Sequence, residues 1–246
     1  MKNLKEYIKE SILGDWNDVN ADEITKSSIK EYISSNYMIH GGYDLLFDGT
    51  YYIVNTRGSV SLNRRNRSTI TDNVFKFGVV NGDFDCSACD TITSLEGAPV
   101  KVGDNFNCSK CTSLKSLKGC PEEINGNFRC TNCKSLTSLK YGPSWVKGSF
   151  KCSHCDSIKT LKDCPKFVGS DFSCESCKSL TSLEGLDKLD RSTCWGTLNC
   201  RDCKKLQDIS HLPKTIYGDF ICSSCKGEFT KEYVETLSSI TGKIQI

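Results

Sequence analysis

Val102-Gly103-Asp104-Asn105-Phe106-Asn107-Cys108-Ser109-Lys110-Cys111-Thr112-Ser113-Leu114-Lys115-Ser116-Leu117-Lys118-Gly119-Cys120-Pro121 is one copy of a phrase repeated from Asn81 to Cys225. Its kernel is an apolar residue followed by x-Cys-x-x-Cys. The kernel begins at Phe84, Phe106, Phe128, Phe150, Phe172, Leu198 and Phe220, at spacings of 22 residues except for one of 26 before Leu198. A fixed period in the twenties is the mark of a solenoid. Phe106 and Cys108 stand two apart and share one face of a strand, while Asn105 and Asn107 face the other way. Cys111, Leu114 and Leu117 continue the apolar set at spacings of three, and Gly119 and Pro121 punctuate a corner. Later copies refill the same slots, as in Phe128, Cys130, Cys133, Leu136 and Leu139. The core is therefore a set of ladders, Phe on Phe, Cys on Cys and Leu on Leu. One turn cannot bury its apolar side alone; each turn covers the next.

The 246 residues carry 17 cysteines and a net charge of +2. That charge gives no global attraction to nucleic acid or membrane. Lys5, Glu6, Lys9 and Glu10 stand where a secretory signal would be apolar, so the thiols are expected to be intracellular and reduced. The pairs Cys86/Cys89, Cys108/Cys111, Cys130/Cys133, Cys152/Cys155, Cys174/Cys177, Cys200/Cys203 and Cys222/Cys225 have the spacing of a four-cysteine zinc template. Seven pairs do not divide into two-pair sites, however, and the first Cys of each shares its inward face with a Phe. The favoured reading is a buried ladder of reduced thiols with no cofactor. Zinc and disulfides remain the alternatives, since stacked strands about 4.8 Å apart are within reach of a bridge. Cys120 and Cys164 take the corner slot of Ala98 and Leu186, and Cys194 has no repeat mate.

The rest of the chain is organised around this array. Residues 1–12 form an amphipathic helical segment, and a second helix is expected from Asp22 to about Ser35, with Ile24, Ile29, Tyr32 and Ile33 on one side. These make up a helical unit, 1–42. Residues 43–80 read as a β-rich N-terminal cap over the first open edge, with strands at Tyr43–Phe47, Tyr51–Asn55, Ser59–Leu62 and Val74–Val80 and a hairpin signal at Asp48-Gly49. The solenoid follows over 81–225, and 226–246 is a C-terminal cap with a helix from Thr230 to about Ser239. The fold class is mainly β, a solenoid of about seven 22-residue turns of strand and turn with short 3₁₀ pieces.

The outward strand column is Asp85, Asn107, Arg129, Lys151, Ser173 and Asn199, and a second exposed row is Glu96, Lys118, Lys140, Lys162 and Glu184. The middle turns are thus basic. Stacked like charges cost stability, so the column is either a contact patch for an acidic partner or edge protection. Trp145 replaces a charged residue in its slot and Trp195 lies in the 26-residue repeat; exposed, either would anchor a partner. Arg64, Arg65 and Arg67 form a basic cluster that a phosphate or nucleic acid would suit, a solvated loop being the plainer reading.

Cys111-x-x-Leu114-x-Ser116-Leu117 resembles the cysteine-containing leucine-rich repeats, over the stretch from Asn81 to Cys225. It departs from them where the first Cys of each pair replaces a strand Leu, and it lacks a helical return side. Ile92-Thr-Ser-Leu-Glu-Gly-Ala-Pro99 is similar to cysteine-rich repeat proteins of tailed phages. Met1, Lys2, Glu6, Tyr7, Ile8 and Glu10 match the leader of T-even-type internal head proteins, which directs them into the prohead and is cut after a hydrophobic-x-Glu. Leu4 departs from that pattern, and Ser11 stands where the family has Ala. The resemblance implies cleavage after Glu10, between Ile8-Lys9-Glu10 and Ser11, and a location inside the phage head or the host cytoplasm.

Enzyme readings lack material. His40, His154 and His211 are the only histidines, and His154 is a repeat variable. No phosphate loop, nucleophile elbow or metal-hydrolase motif is present. The expectation is a non-enzymatic protein that binds another macromolecule, by preference a protein, through Lys118, Arg129, Lys140, Trp145, Lys151 and Lys162, with no membrane and no small-molecule substrate. A zinc-binding or redox-responsive structural protein, and a nucleic-acid-associated head protein, are the alternatives.

Overall fold

The computed structural model describes residues 21–62, 70 and 75–246. Helix α1, Ala21–Asn36, buries Ile29 and Ile33 and ends where Asn36 Nδ2 donates to the Tyr32 carbonyl at 2.8 Å. Five strands precede the cysteines: β1 (Tyr37–Ile39), β2 (Tyr43–Phe47), β3 (Tyr52–Thr56), β4 (Val60–Leu62) and β5 (Phe75–Val80). The array itself is built of two-residue strands: β6 (Phe84–Asp85), β7 (Lys101–Val102), β8 (Phe106–Asn107), β9 (Glu123–Ile124), β10 (Phe128–Arg129), β11 (Trp145–Val146), β12 (Phe150–Lys151), β13 (Phe167–Val168) and β14 (Phe172–Ser173). After the long repeat come β15 (Thr193–Cys194), β16 (Leu198–Asn199), β17 (Thr215–Ile216) and β18 (Phe220–Ile221), then helix α2 (Lys231–Leu237), β19 (Ser239–Ile240) and β20 (Ile244–Gln245).

Odd and even strands belong to different sheets. The even strands from β4 to β20 form one parallel stack, with β1 added antiparallel at its edge, making ten strands. At about 4.8 Å per strand the parallel stack is roughly 40 Å long. The odd strands from β3 to β13 form a second sheet, edged by the antiparallel β2–β3 hairpin, and β15, β17 and β19 form a third. The molecule is a mainly β solenoid of about eight turns of roughly 22 residues.

The register carries the ladders in the order the period predicts. Phe84, Phe106, Phe128, Phe150, Phe172, Leu198, Phe220 and Ile244 pair in succession. The Phe rings from Phe84 to Phe172 stand 5.2–5.6 Å apart. Each Cys-x-x-Cys turns a tight corner between its two cysteines. The residue just before the second Cys lies in the left-handed region in all seven kernels: Ala88, Lys110, Asn132, His154, Ser176, Asp202 and Ser224, at φ 58° to 63°. A second left-handed corner follows the leucines. Gly119 sits there at φ +95°, where an added Cβ would come 2.4 Å from the Leu95 carbonyl oxygen.

A polar ladder lines the corner between the two strand sides. Asp83 Oδ1 accepts from the Asn105 backbone and side-chain amides at 2.9 and 2.8 Å, and Asn105 Oδ1 accepts from those of Asn127 at 2.8 and 2.7 Å. Asn127 Oδ1 then accepts from the Ser149 amide at 2.8 Å. Asn105→Ala strands the Asn127 backbone N–H at this corner. The expected cost is about 2 kcal/mol, read as a lower denaturant midpoint at unchanged slope; an unchanged midpoint would mean the ladder contributes nothing.

Three expectations are corrected. The array has about eight turns, because Ile240-Thr241-Gly242-Lys243-Ile244 adds one to the stack without any cysteine. The segment after Cys225 accordingly holds both the expected helix, N-capped by Thr230 Oγ1 accepting from the Tyr233 amide at 3.1 Å, and a further pair of strands. Cys194 does have mates: it pairs with Ile216 and precedes Leu198 by four residues, as Val168 precedes Phe172. Both sheets also run on through the region before Asn81, since β3 pairs with β5 and β4 with β6 in parallel. Two 3₁₀ turns, Leu186–Lys188 and Asp190–Ser192, take up the four extra residues of the long repeat.

Candidate functional site

The leader residues Ile8, Glu10 and Ser11 and the cluster Arg64, Arg65 and Arg67 lie outside the described residues. The remaining expected binding residues fall on two sides of the coil. Arg129 and Lys151 are Cα partners on β10 and β12, flanked by Asn107 and Ser173, and all four are half-buried. Trp145 is on the other sheet, on β11, between Glu123 and Phe167. Lys118, Lys140 and Lys162 are exposed at the corner leading into that second sheet. Trp145 thus lies on a different sheet from Arg129 and Lys151, and the lysine row lies at the corner before it.

The lysine row is partly neutralised. Lys118 Nζ lies 2.7 Å from Glu96 Oε1; this contact holds the Glu96 carboxyl below the usual carboxylate range and raises the Lys118 ammonium. Lys140 Nζ sits 4.9 Å from the centre of the Tyr141 ring, a cation–π geometry.

The aromatic content of the second side exceeds what single residues suggest. Trp145 is 38% exposed and stacks on the half-buried Phe167, with ring centres 4.1 Å apart and planes 12° from parallel. Two turns on, Trp195 (42% exposed) stacks on Tyr217 (51%) at 5.2 Å and 15°. Trp195 and Tyr217 follow their inward residues Cys194 and Ile216 as Gly169 follows Val168. The Phe167 ring edge leans over that glycine: a Cβ on Gly169 would come 3.3 Å from Phe167 Cε1. Two stacked pairs therefore stand on four successive turns, one slot before the inward residue in the first pair and one slot after it in the second. Tyr217 and Phe167 were missed as partners because only the register of the second side brings them beneath the tryptophans; the shared slot before Val146 and Val168, for Phe167, and the one after Cys194 and Ile216, for Tyr217, were the available signals.

The thiols are inward and continuous. In each of six successive turns the second Cys Sγ donates to the carbonyl of the first Cys one turn earlier, as in Cys111 to Cys86, Cys133 to Cys108 and Cys177 to Cys152, at 3.1–3.2 Å. No disulfide joins any of the 17 cysteines, and only Cys120, Cys164 and Cys225 are half-buried, the others being buried.

Of the fourteen cysteines in the alternative zinc set, three bring their sulfurs together. Among the described residues, metal-ligating atoms converge only at Cys200, Cys222 and Cys225. Cys86, Cys89, Cys108, Cys111, Cys130, Cys133, Cys152, Cys155, Cys174, Cys177 and Cys203 join no such group. From Cys111 to Cys225 each second cysteine directs its S–H at a backbone carbonyl of the preceding turn, and the pairs stack as columns. Cys89 belongs to the first kernel. The turn before it, where Val60 pairs with Phe84, puts Leu62 in the slot of Cys86 and offers no cysteine pair.

His154 is exposed at its left-handed corner. Among the described residues no helix is long and apolar enough to cross a membrane.

Compared with family models, with curated proteins and with solved structures, the chain matches none. The side chains themselves carry what can be said of function.

Proposed function

We propose that this is a non-enzymatic repeat protein that binds another protein through the aromatic side of its solenoid. The observation that carries the reading is two stacked aromatic pairs, Trp145–Phe167 and Trp195–Tyr217, with both tryptophans exposed and with exposed Lys118, Lys140 and Lys162 at the corner that leads into the sheet of Trp145. Aromatics and mixed charge are what protein interfaces concentrate. Glu123 beside Trp145 and Glu96 on Lys118 disfavour a phosphate backbone as the partner on that side. The cysteine-containing repeat wording supports a leucine-rich-repeat-like coil, with the segments at its two ends acting as caps. The leader resemblance supports an internal or injected protein of a tailed-phage head.

The test is cross-linked capture from an extract of the source cells, with and without nuclease, by the wild-type chain, by Trp145→Ala/Trp195→Ala and by Arg129→Ala/Lys151→Ala. Loss of an anchoring tryptophan costs about 2 kcal/mol or more, so a defined protein captured by wild type is expected to fall at least about thirtyfold with the tryptophan variant and to survive nuclease. Capture abolished by nuclease, or equal in wild type and the tryptophan variant, overturns the reading. Loss confined to Arg129→Ala/Lys151→Ala would move the interface to the other sheet.

A further inference from the structure

Thirteen of the fourteen kernel cysteines are buried, and the exception is Cys225. Cys203, in the same slot one turn earlier, is completely covered. Above Cys222 and Cys225 the eighth turn supplies Ile244, Gln245 and Ile246, with the Cys222 amide donating to the Gln245 carbonyl at 2.7 Å. This covers Cys222 and leaves one side of Cys225 open. Here, uniquely among the described residues, three metal-ligating atoms converge: the Sγ atoms of Cys200, Cys222 and Cys225 all lie within 4.8 Å of one another. Cys222 and Cys225 approach to 3.2 Å. Cys225 Sγ also reaches back to the Cys200 carbonyl at 3.2 Å, which fixes it over the neighbouring turn.

We propose that Cys200, Cys222 and Cys225 form a single-ion site for zinc, with three thiolate ligands and a fourth position open to water on the Cys225 side. The donor set decides the class of ion. Three sulfurs without carboxylate or imidazole suit a soft or borderline d¹⁰ cation and exclude magnesium and calcium. Tetrahedral Zn–S bonds of about 2.3 Å place sulfurs about 3.8 Å apart, between the Cys222–Cys225 separation and the outer bound of the trio. Small side-chain rotations, chiefly of half-exposed Cys225, would bring all three to that spacing. On binding, each thiol gives up its proton to solvent and its sulfur lone pair to the ion, so three protons leave per zinc. The divalent charge is what makes two buried thiolates tolerable there. An open fourth position is the geometry of a site that exchanges its ion or takes an external ligand, unlike a closed four-cysteine structural site.

The experiment uses the full chain, purified with reductant and free of metal. Zinc is added in excess, unbound ion is removed by gel filtration, and retained metal is measured by mass spectrometry; cobalt is added in parallel for its sulfur-to-metal absorption. The expected result is one zinc per chain and a thiolate–cobalt band in wild type. Both are lost in Cys225→Ser and retained in Cys164→Ser, whose thiol lies at a distant corner. Circular dichroism identifies folded variants, and Cys225→Ala serves as a second loss variant if Cys225→Ser fails to fold. Less than about a tenth of an equivalent in folded wild type overturns the proposal, as does zinc held equally by wild type and a folded Cys225 variant.

Discussion

Raising the pH of the reduced protein above about 9 is expected to unfold it within roughly one further pH unit. The buried thiols set this limit. Hydrogen bonds to neighbouring thiols, with burial, push Cys86, Cys152, Cys155 and Cys174 well above the ordinary thiol value. Burial foremost does the same for Cys108 and Cys120, and raises Cys164 to about 12 and Cys194 to about 11. A group whose folded value is raised contributes stability that is fully present below its unfolded value and is lost as pH climbs toward the folded one. Here the unfolded chain sheds its thiol protons from about pH 8.5–9 while the folded chain keeps them. Each such thiol then costs about 1.4 kcal/mol per pH unit. Eight such thiols acting together bring the loss to the order of a typical domain's whole stability. Circular dichroism and thiolate absorbance, followed together under reductant, should move in one cooperative step that reverses on return to neutral pH. A fold intact past about pH 11 would contradict a ladder of neutral thiols.

Phe128→Ala is expected to cost about 3–5 kcal/mol. Phe128 is fully buried, with Phe106 at 5.6 Å and Phe150 at 5.3 Å on either side. Its removal opens a void that only adjacent turns can fill. Stability in a coil is a sum of turns and nearest-neighbour couplings, so a broken central coupling should also divide one unfolding transition into two. Phe128→Leu is the control. Leu198 and Ile244 already occupy this column, and the change should cost under about 1.5 kcal/mol. Denaturant unfolding at neutral pH under reductant reads both; a loss below about 1 kcal/mol for the alanine variant would mean that the rings do not couple the turns.

The coil was legible because identical slots at one period force identical neighbours. Phe106 over Phe84 and Lys151 over Arg129 follow from counting alone, and the Ile29–Ile33 spacing places α1 to within a residue or so at each end. The eighth turn was not legible from the kernel because Ile244 and Ile246 stand where Phe and Cys do elsewhere; only the four-residue step from Ile240 to Ile244 betrays it. Cys194 looked unmatched because its column holds valine and isoleucine, which share its shape and burial but not its chemistry. Spacing made every cysteine pair equivalent as a metal ligand, Cys89 and Cys177 as much as Cys225. Position in the array tells them apart: Cys177 and Cys225 are both turned onto a carbonyl of the preceding turn, but Cys225 is half-buried at a turn whose next neighbour carries no cysteine pair, and three sulfurs converge there. The aromatic pairs likewise required the register of the second sheet. In each case the hidden feature arises where one turn differs from the next.

The left-handed corner inside each cysteine pair separates two vocabularies in this chain. Phe, Cys and Leu spell the coil, while Ala88, Lys110, Asn132, His154, Ser176, Asp202 and Ser224 share one backbone conformation and almost nothing else. Small, cationic, amide, imidazole and acidic groups are all presented at that corner on the pitch of the stack. Each carries a left-handed toll, smallest for Asn132 and Asp202, and the coil tolerates it at every turn. The edge therefore behaves like movable type: its characters can be exchanged one at a time while the frame that holds them stays locked.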